Sequence, residues 1–217
     1  LWAEGGRFPD PWWRETILLT VGYLGVKSME TALELVQEMA TQPGRDEAAL
    51  AAAELAGVAF MELESQDAGV KTLLVNQLVA LLTDRDLTAV PQLRLLGGDA
   101  LGRLGDPRPG VCALEPDLIP IPAGPFLMGE KKDTITIQEP YAIGRYPVTN
   151  AQFQMFVDDG GYMPKWQNCW TAEGWQWCGE NGHTRIFELR GGFIGANQPV
   201  VSVSWYEAVA YSRWLAA

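Results

Sequence analysis

One short segment of the sequence carries four tryptophans, Trp166, Trp170, Trp175 and Trp177. Exposed indole rings bind sugars, peptides and partner proteins, because each ring combines a large apolar area with one N–H donor. Indole rings also fill cores, and aromatic packing can hold the loops of a domain together. The sequence therefore leaves two interpretations open for this segment: packing inside the fold, or a contact surface for a ligand or partner.

Three further side chains near the tryptophans could bind a metal ion. Cys169, Cys178 and His183 supply thiolate and imidazole groups, which are ligands for zinc or copper(I). Their spacing fits no standard zinc motif, and a fourth ligand is not evident. A disulfide and a pair of ordinary buried thiols are the other possibilities, and we expect the thiols. We predict no metal site and no cofactor.

Catalytic devices built on histidine have little support in this sequence. His183 is the only histidine, so a Ser/His/Asp or Cys/His arrangement would have to use it. The paired carboxylates Asp158 and Asp159 have no spacing that would place them beside it, and we expect them to be solvated at a helix end. No catalytic residue is predicted.

Two helices must position the tryptophan segment. Thr149-Asn-Ala-Gln152 and Ser204-Trp-Tyr-Glu207 both have the pattern of a capping box, which predicts a helix beginning at each. About fifty residues rich in Gly, Trp and Asn separate the two boxes, with little periodicity. We expect loops there, held by aromatic packing. Upstream, the alternation of Thr and Ile over 134–138 predicts a short strand, and a turn at 123–125 separates the short apolar runs 118–122 and 126–128.

The part of the chain before residue 105 favours helices instead. A first helix is predicted from Pro11 to an end marked by Gly22 and Gly25, because apolar residues recur at helical spacing after Pro11. Four more are predicted near 28–40, 46–64, 68–84 and 88–104. Short connections favour antiparallel pairs, and five such helices resemble a short HEAT-like repeat. We therefore divide the chain into a helical repeat segment at 1–104, a proline-stiffened linker at 105–113 and a second domain at 114–217.

Composition and charge exclude several classes of protein. The 217 residues carry 27 acidic and 16 basic side chains, a formal charge of −11, which argues against a general nucleic-acid binder. No apolar run approaches the roughly 20 residues of a membrane span, and three cysteines are too few for a disulfide scaffold. We expect a cytoplasmic protein that binds neither nucleic acid nor membrane. Since the chain starts at Leu1 and stops inside a predicted helix, we also expect a piece of a longer polypeptide.

Four segments of the second half, in this order, resemble one known family. They are Ile119–Gly129, Tyr146–Phe153, the aromatic loop Trp170–Trp177, and Asn197–Tyr211. Together they look like the N-terminal part of the formylglycine-generating enzyme, or sulfatase-modifying factor, domain.

The resemblance implies an α+β fold, a variant of the C-type lectin fold with long loops. It also implies an ancestry of copper-dependent oxidases that convert a sulfatase cysteine to formylglycine, with two copper-binding cysteines near the end of the domain. No residue here matches those cysteines, and some members of the family follow helical repeats in large signalling NTPases. We therefore expect a non-catalytic recognition segment of a bacterial-type signalling or defence protein. It would bind a protein partner, or another part of the same polypeptide, through Trp166, Trp170, Trp175 and Trp177. The alternative is a portion of a formylglycine-generating oxidase that acts on a sulfatase cysteine.

Overall fold

The structure, a computed structural model, describes residue 8 and residues 10–180 and 193–217, and the chain divides into two compact units. The first unit is Leu1–Pro107 and the second is Arg108–Ala217. The division falls inside the segment 105–113 that the sequence analysis assigned to a linker. The described residues include no helix long and apolar enough to cross a bilayer.

Five helices build the described part of the first unit. Four of them begin at an aspartate or serine whose side chain accepts a backbone N–H of the first turn, which replaces a bond that the helix itself cannot make. The fifth, α5, has no side-chain cap and begins at a proline. The helices are α1 Pro11–Lys27, α2 Met29–Ala40, α3 Glu47–Glu62, α4 Ala68–Thr83 and α5 Pro91–Leu104.

Helix α3 is the centre of this unit. Seven of its residues are alanines, and the helix is buried on nearly all sides because it packs against each of the other four. Small side chains allow that close approach. Its one buried charge, Glu54, is matched by the Arg14 guanidinium of α1, whose two N–H groups donate to the carboxylate at 2.6 and 2.8 Å.

The predicted helices are confirmed in number and order, but the predicted end of α1 is wrong. The helix continues through Gly22 and Gly25 as far as Lys27. The absence of a side chain at Gly25 makes room for Leu63, because a Cβ at this position would collide with the end of the Leu63 side chain. Gly22 faces open space. The HEAT-like character of the five helices is not confirmed and stays a prediction.

The second unit begins with two antiparallel strand pairs. Strands β1 Leu118–Ile121 and β4 Tyr141–Gly144 form one pair, and β2 Gly124–Met128 and β3 Asp133–Ile137 form the other. Strand β3 was predicted, and β1 and β2 coincide with the two apolar runs on either side of the predicted turn. Strand β4 was not predicted, since its four residues show no alternation of their own and depend on pairing with β1.

Helices follow the strands, and the fold is therefore mixed helix and sheet, as predicted. They are α6 Asn150–Asp158, a 3₁₀ helix at Pro164–Cys169, α7 Ala172–Glu180 and α8 Trp205–Leu215. Both predicted capping boxes are present, at Thr149 and Ser204. The expectation of loops between them is wrong in part, because the 3₁₀ helix and α7 occupy much of that segment.

Candidate functional site

The start of α6 is fixed by buried hydrogen bonds to the segment before the strands. The Thr149 hydroxyl donates to the carbonyl of Val111 at 2.6 Å. The Gln152 side-chain amide donates to the carbonyls of Gly110 and Ala113 at 3.2 and 2.9 Å. Thr149 and Gln152 also cap each other, and both side chains are buried. One capping box therefore caps the helix and anchors residues 110–113 to it.

An aromatic core joins α6 to α8. Phe153 stacks on Tyr211 with ring centroids 5.3 Å apart, and it meets Phe156 edge-on at 5.4 Å. Phe156, fully buried, also meets the Trp214 ring at 5.5 Å. Aromatic pairs at these distances add stability beyond the apolar area they bury. The core holds the two capped helices in a fixed relation within this unit.

Two of the four predicted tryptophans are tied to the same core by their indole N–H groups. Trp170 is buried, and its Nε1 donates to the Gly161 carbonyl at 2.8 Å. Trp166 is half-buried, and its Nε1 donates to the Asp159 carbonyl at 3.1 Å. The Trp170 ring belongs to the aromatic core, and the Lys165 ammonium lies 5.7 Å from the centroid of the Trp166 ring.

The other two tryptophans, on α7, are half-buried at the edge of this core. Trp175 meets Trp170 edge-on with ring centroids 6.2 Å apart. Trp177 lies 5.8 Å from the ring of Tyr206 on α8. Trp170, Trp175 and Trp177 thus lie in or against the aromatic core. The role of the four tryptophans in binding stays a prediction. An exposed indole that the sequence analysis did not single out, Trp205, lies beside Tyr206.

A buried acid and a buried phenol form the central polar contact of the unit, and the sequence analysis did not foresee it. The Tyr162 hydroxyl donates to Glu207 Oε1 at 2.6 Å, and the Ser204 N–H donates to Oε2 at 2.8 Å. Burial, and then the hydrogen bond to Glu207, raise the pKa of Tyr162 far above its usual value. The phenol therefore stays protonated and acts as a donor. The capping-box pattern marked Glu207, but nothing in the sequence pointed to its partner.

Asp159 lies at the end of α6 with its side chain 42% exposed, as predicted, and its carboxylate also binds two side chains. Its carboxylate accepts from Lys165 Nζ at 2.7 Å and from Trp214 Nε1 at 2.8 Å. These bonds, that from Lys165 first, hold its pKa below the usual value. Asp158 is exposed as predicted and accepts from the amide of Gln154. The paired carboxylates therefore have different environments and do not form one acidic site.

The cysteines are free thiols, and the described residues do not fit a copper site. Cys169 and Cys178 are buried, Cys112 is half-buried, and none forms a disulfide. Burial raises the pKa of the thiols of Cys169 and Cys178, which opposes the thiolate form that binds metal. Among residues 8, 10–180 and 193–217, no three His, Cys, Asp or Glu side chains are placed to hold a metal ion. His183 lies outside the described residues.

Comparison with known proteins identifies the second unit. The family model of the sulfatase-modifying factor enzyme 1-like domain matches residues 107–217. The hercynine oxygenase of Mycolicibacterium smegmatis is 31% identical over 161 residues, covering 61% of this chain and 36% of the relative. The hercynine oxygenase of Mycobacterium tuberculosis is 39% identical over 89 residues, covering 36% of this chain and 20% of the relative.

A formylglycine-generating enzyme is also similar. The one from Mycobacterium tuberculosis is 28% identical over 141 residues, covering 45% of this chain and 46% of the relative. The chain therefore spans less than half the length of each of these relatives. No solved structure matches the chain significantly.

These matches correct the predicted function. A non-catalytic recognition segment of a signalling or defence protein is the wrong expectation, since the similar proteins are named as enzymes. The expectation had two supports. One was the absence of matching catalytic cysteines, which carries little weight for a chain that spans part of its relatives. The other was an aromatic contact surface, whose role in binding stays a prediction.

Proposed function

The chain belongs to the family of sulfatase-modifying factor enzyme 1-like domains through residues 107–217, and on this premise we propose that it is part of an enzyme that oxidises its substrate with molecular oxygen. One observation carries the proposal. Three similar proteins, from three mycobacterial species, share the name hercynine oxygenase.

Hercynine is the first candidate substrate. The oxygenase from Mycolicibacterium smegmatis aligns with 61% of this chain, against 45% for the formylglycine-generating enzyme. The larger share favours the oxygenase as the guide to substrate class. Formylglycine generation is the second candidate. The match covers 46% of the length of the formylglycine-generating enzyme, against 36% of the length of the Mycolicibacterium smegmatis oxygenase.

The described residues support a positioning role for the second unit in such an enzyme. Reactive groups must be held to within fractions of an ångström, and this requires rigid supporting elements. Helices α6 and α8 are suitable supporting elements. Each begins with a complete capping box, and both contribute side chains to one aromatic core. The Glu207–Tyr162 bond adds a buried polar link between α8 and the chain that follows α6.

Product analysis distinguishes the two candidate substrates. The longest natural polypeptide that contains this sequence is incubated in air with hercynine and free cysteine, or with a sulfatase-derived cysteine peptide. Iron(II) and copper(I) are supplied in separate reactions, since oxygen activation commonly uses one of these metals. Cysteine is included with hercynine because the formylglycine reaction implied by the family oxidises a thiol.

Mass spectrometry then reports which substrate changes. Oxygen-18 from labelled O₂ in a hercynine product supports the first candidate. An aldehyde on the peptide, trapped by an aminooxy probe, supports the second. If neither substrate changes with either metal while the protein remains folded, the proposed function is wrong.

A further inference from the structure

The outer face of α1 carries an unusual stripe of large apolar side chains. Trp12 is 81% exposed, Leu19 72%, Tyr23 63% and Val26 84%. Thr16, also exposed, completes the stripe. The five positions 12, 16, 19, 23 and 26 follow each other at intervals of four, three, four and three. This spacing keeps side chains on one line of a helix and is typical of the seam between two packed helices.

The first unit does not use this stripe for its own core. Ile17 and Val21 are the buried residues of α1, and they lie on its other side, toward α2 and α3. A helix that is apolar on both sides is normally buried on both sides. A second helical surface is therefore expected on the outer face of α1.

The stripe has an area that suits self-association. The four large side chains expose roughly 600 Å² per copy, given that a buried aromatic side chain contributes about 150–250 Å². Two copies facing each other could bury at most about 1,200 Å² of these side chains, which reaches the lower end of the range for specific interfaces.

Size and charge along the stripe favour an antiparallel pair. A twofold axis near its centre brings Leu19 close to Leu19 of the second copy and sets the Trp12 end against the smaller Val26 end. A parallel pair would instead oppose Trp12 to Trp12 and Tyr23 to Tyr23. Antiparallel helices also set opposite ends of the two helix dipoles together.

The charges near the stripe agree with this arrangement. α1 contributes two cations and one anion, in a chain whose formal charge is −11. Since Arg14 is paired with Glu54, Glu15 and Lys27 are the charges that α1 leaves exposed, and their opposite signs give the helix no acidic excess that would repel a second copy. Lys27 lies 5.7 Å from the centroid of its own Tyr23 ring, and the antiparallel arrangement adds the Trp12 end of the second copy to its surroundings. Gly22, beside the stripe with open space around it, permits close approach.

We propose that the stripe of Trp12, Thr16, Leu19, Tyr23 and Val26 is the interface of a homodimer, in which α1 packs antiparallel against α1 of a second copy of this chain. The interface is separate from the second unit's aromatic core and does not depend on the oxidising activity proposed above.

Sedimentation of the 217-residue chain tests the proposal. The wild-type chain is expected to sediment as a dimer at micromolar concentration, and Leu19→Glu should raise the dissociation constant about 30-fold or more. Leu95→Glu is the matched control, since Leu95 is 54% exposed on α5 of the same unit. It should leave the dimer intact, and circular dichroism should show unchanged helix content in both variants. A wild-type chain that is monomeric up to about 100 μM, or a dimer that survives Leu19→Glu, overturns the proposal.

Crosslinking tests the orientation, in a Cys112→Ser background with a short bis-maleimide. Leu19→Cys should crosslink to itself. Trp12→Cys should not, because an antiparallel pair places the two positions about 20 Å apart at 1.5 Å rise per residue. A mixture of Trp12→Cys and Val26→Cys chains should crosslink. Efficient crosslinking of Trp12→Cys alone would show a parallel pair and contradict the arrangement.

Discussion

The buried contact between Glu207 and Tyr162 makes a strong prediction about the stability of the second unit. The two side chains are only 3% and 7% exposed. One carboxylate oxygen accepts from the Tyr162 hydroxyl and the other from the Ser204 N–H. Glu207→Ala removes both acceptors, and it leaves the buried hydroxyl of Tyr162 without its carboxylate partner.

The expected loss follows from those two bonds. A hydrogen bond to a charged group contributes about 1.5–3 kcal/mol, and the cap at the start of α8 about 1 kcal/mol. Glu207→Ala should therefore lower the free energy of unfolding by about 2.5–4 kcal/mol. Glu207→Gln keeps an acceptor without the charge and should cost about half as much. A double-mutant cycle with Tyr162→Phe should give a coupling energy of about 1.5–3 kcal/mol, since the two side chains act through one bond.

Urea unfolding followed by near-ultraviolet circular dichroism measures these changes. Six of the nine tryptophans follow residue 160, so the signal reports chiefly on the second unit. Glu173→Gln is the control, because Glu173 is an exposed carboxylate in the first turn of α7 and should change stability by less than about 0.5 kcal/mol. A coupling energy within about 0.5 kcal/mol of zero would refute the inference that this contact stabilises the unit.

Three further predictions concern other parts of the chain. Gly22→Ala should raise the free energy of unfolding by up to about 1 kcal/mol in thermal or urea melts, because Gly22 faces open space, whereas Gly25→Ala should raise it less, because its Cβ must displace the terminal methyl group of Leu63. The Asp159 carboxylate has a lowered pKa in the folded state, so its stabilising effect is present above the ordinary aspartate pKa and lost as pH falls through the lowered value. Asp159→Asn should therefore reduce Tm at pH 7 and have little effect near about pH 2 in a pH series of thermal melts. Iodoacetamide at pH 8 should alkylate Cys169 and Cys178 in the folded chain more slowly than in urea, because burial raises their thiol pKa; equal rates would show accessible thiolates.

Features of the fold that depend on residues close together in sequence could be predicted. The capping boxes at Thr149 and Ser204 are local patterns, and both are present. The end of α1 could not be predicted, because the role of Gly25 depends on Leu63, which is distant in sequence. Strand β4 was missed for the same reason, since its partner is β1.

The candidate site shows the same limit. Trp170 was singled out by its residue type, but its burial depends on Phe156 and Tyr162, which no local pattern places beside it. The family was predicted correctly from four ordered segments. The predicted role was wrong because it relied on an absence: no residue of this chain matches the copper-binding cysteines of the family. Such an absence says nothing about chemistry elsewhere in a longer protein.

Oxygen uptake tests the central claim, membership of an oxygen-using enzyme, most directly. An oxygen electrode follows the longest natural polypeptide that contains this sequence, loaded with iron(II) or copper(I), before and after addition of hercynine with cysteine or of the sulfatase-derived cysteine peptide. The claim predicts uptake that begins with one of these substrates, exceeds uptake by metal and thiol without protein, and disappears after heat denaturation. The claim is contradicted if uptake equals the protein-free control with every substrate and either metal. This result counts only if the near-ultraviolet circular dichroism spectrum shows that the aromatic core, which includes the buried Trp170, is folded.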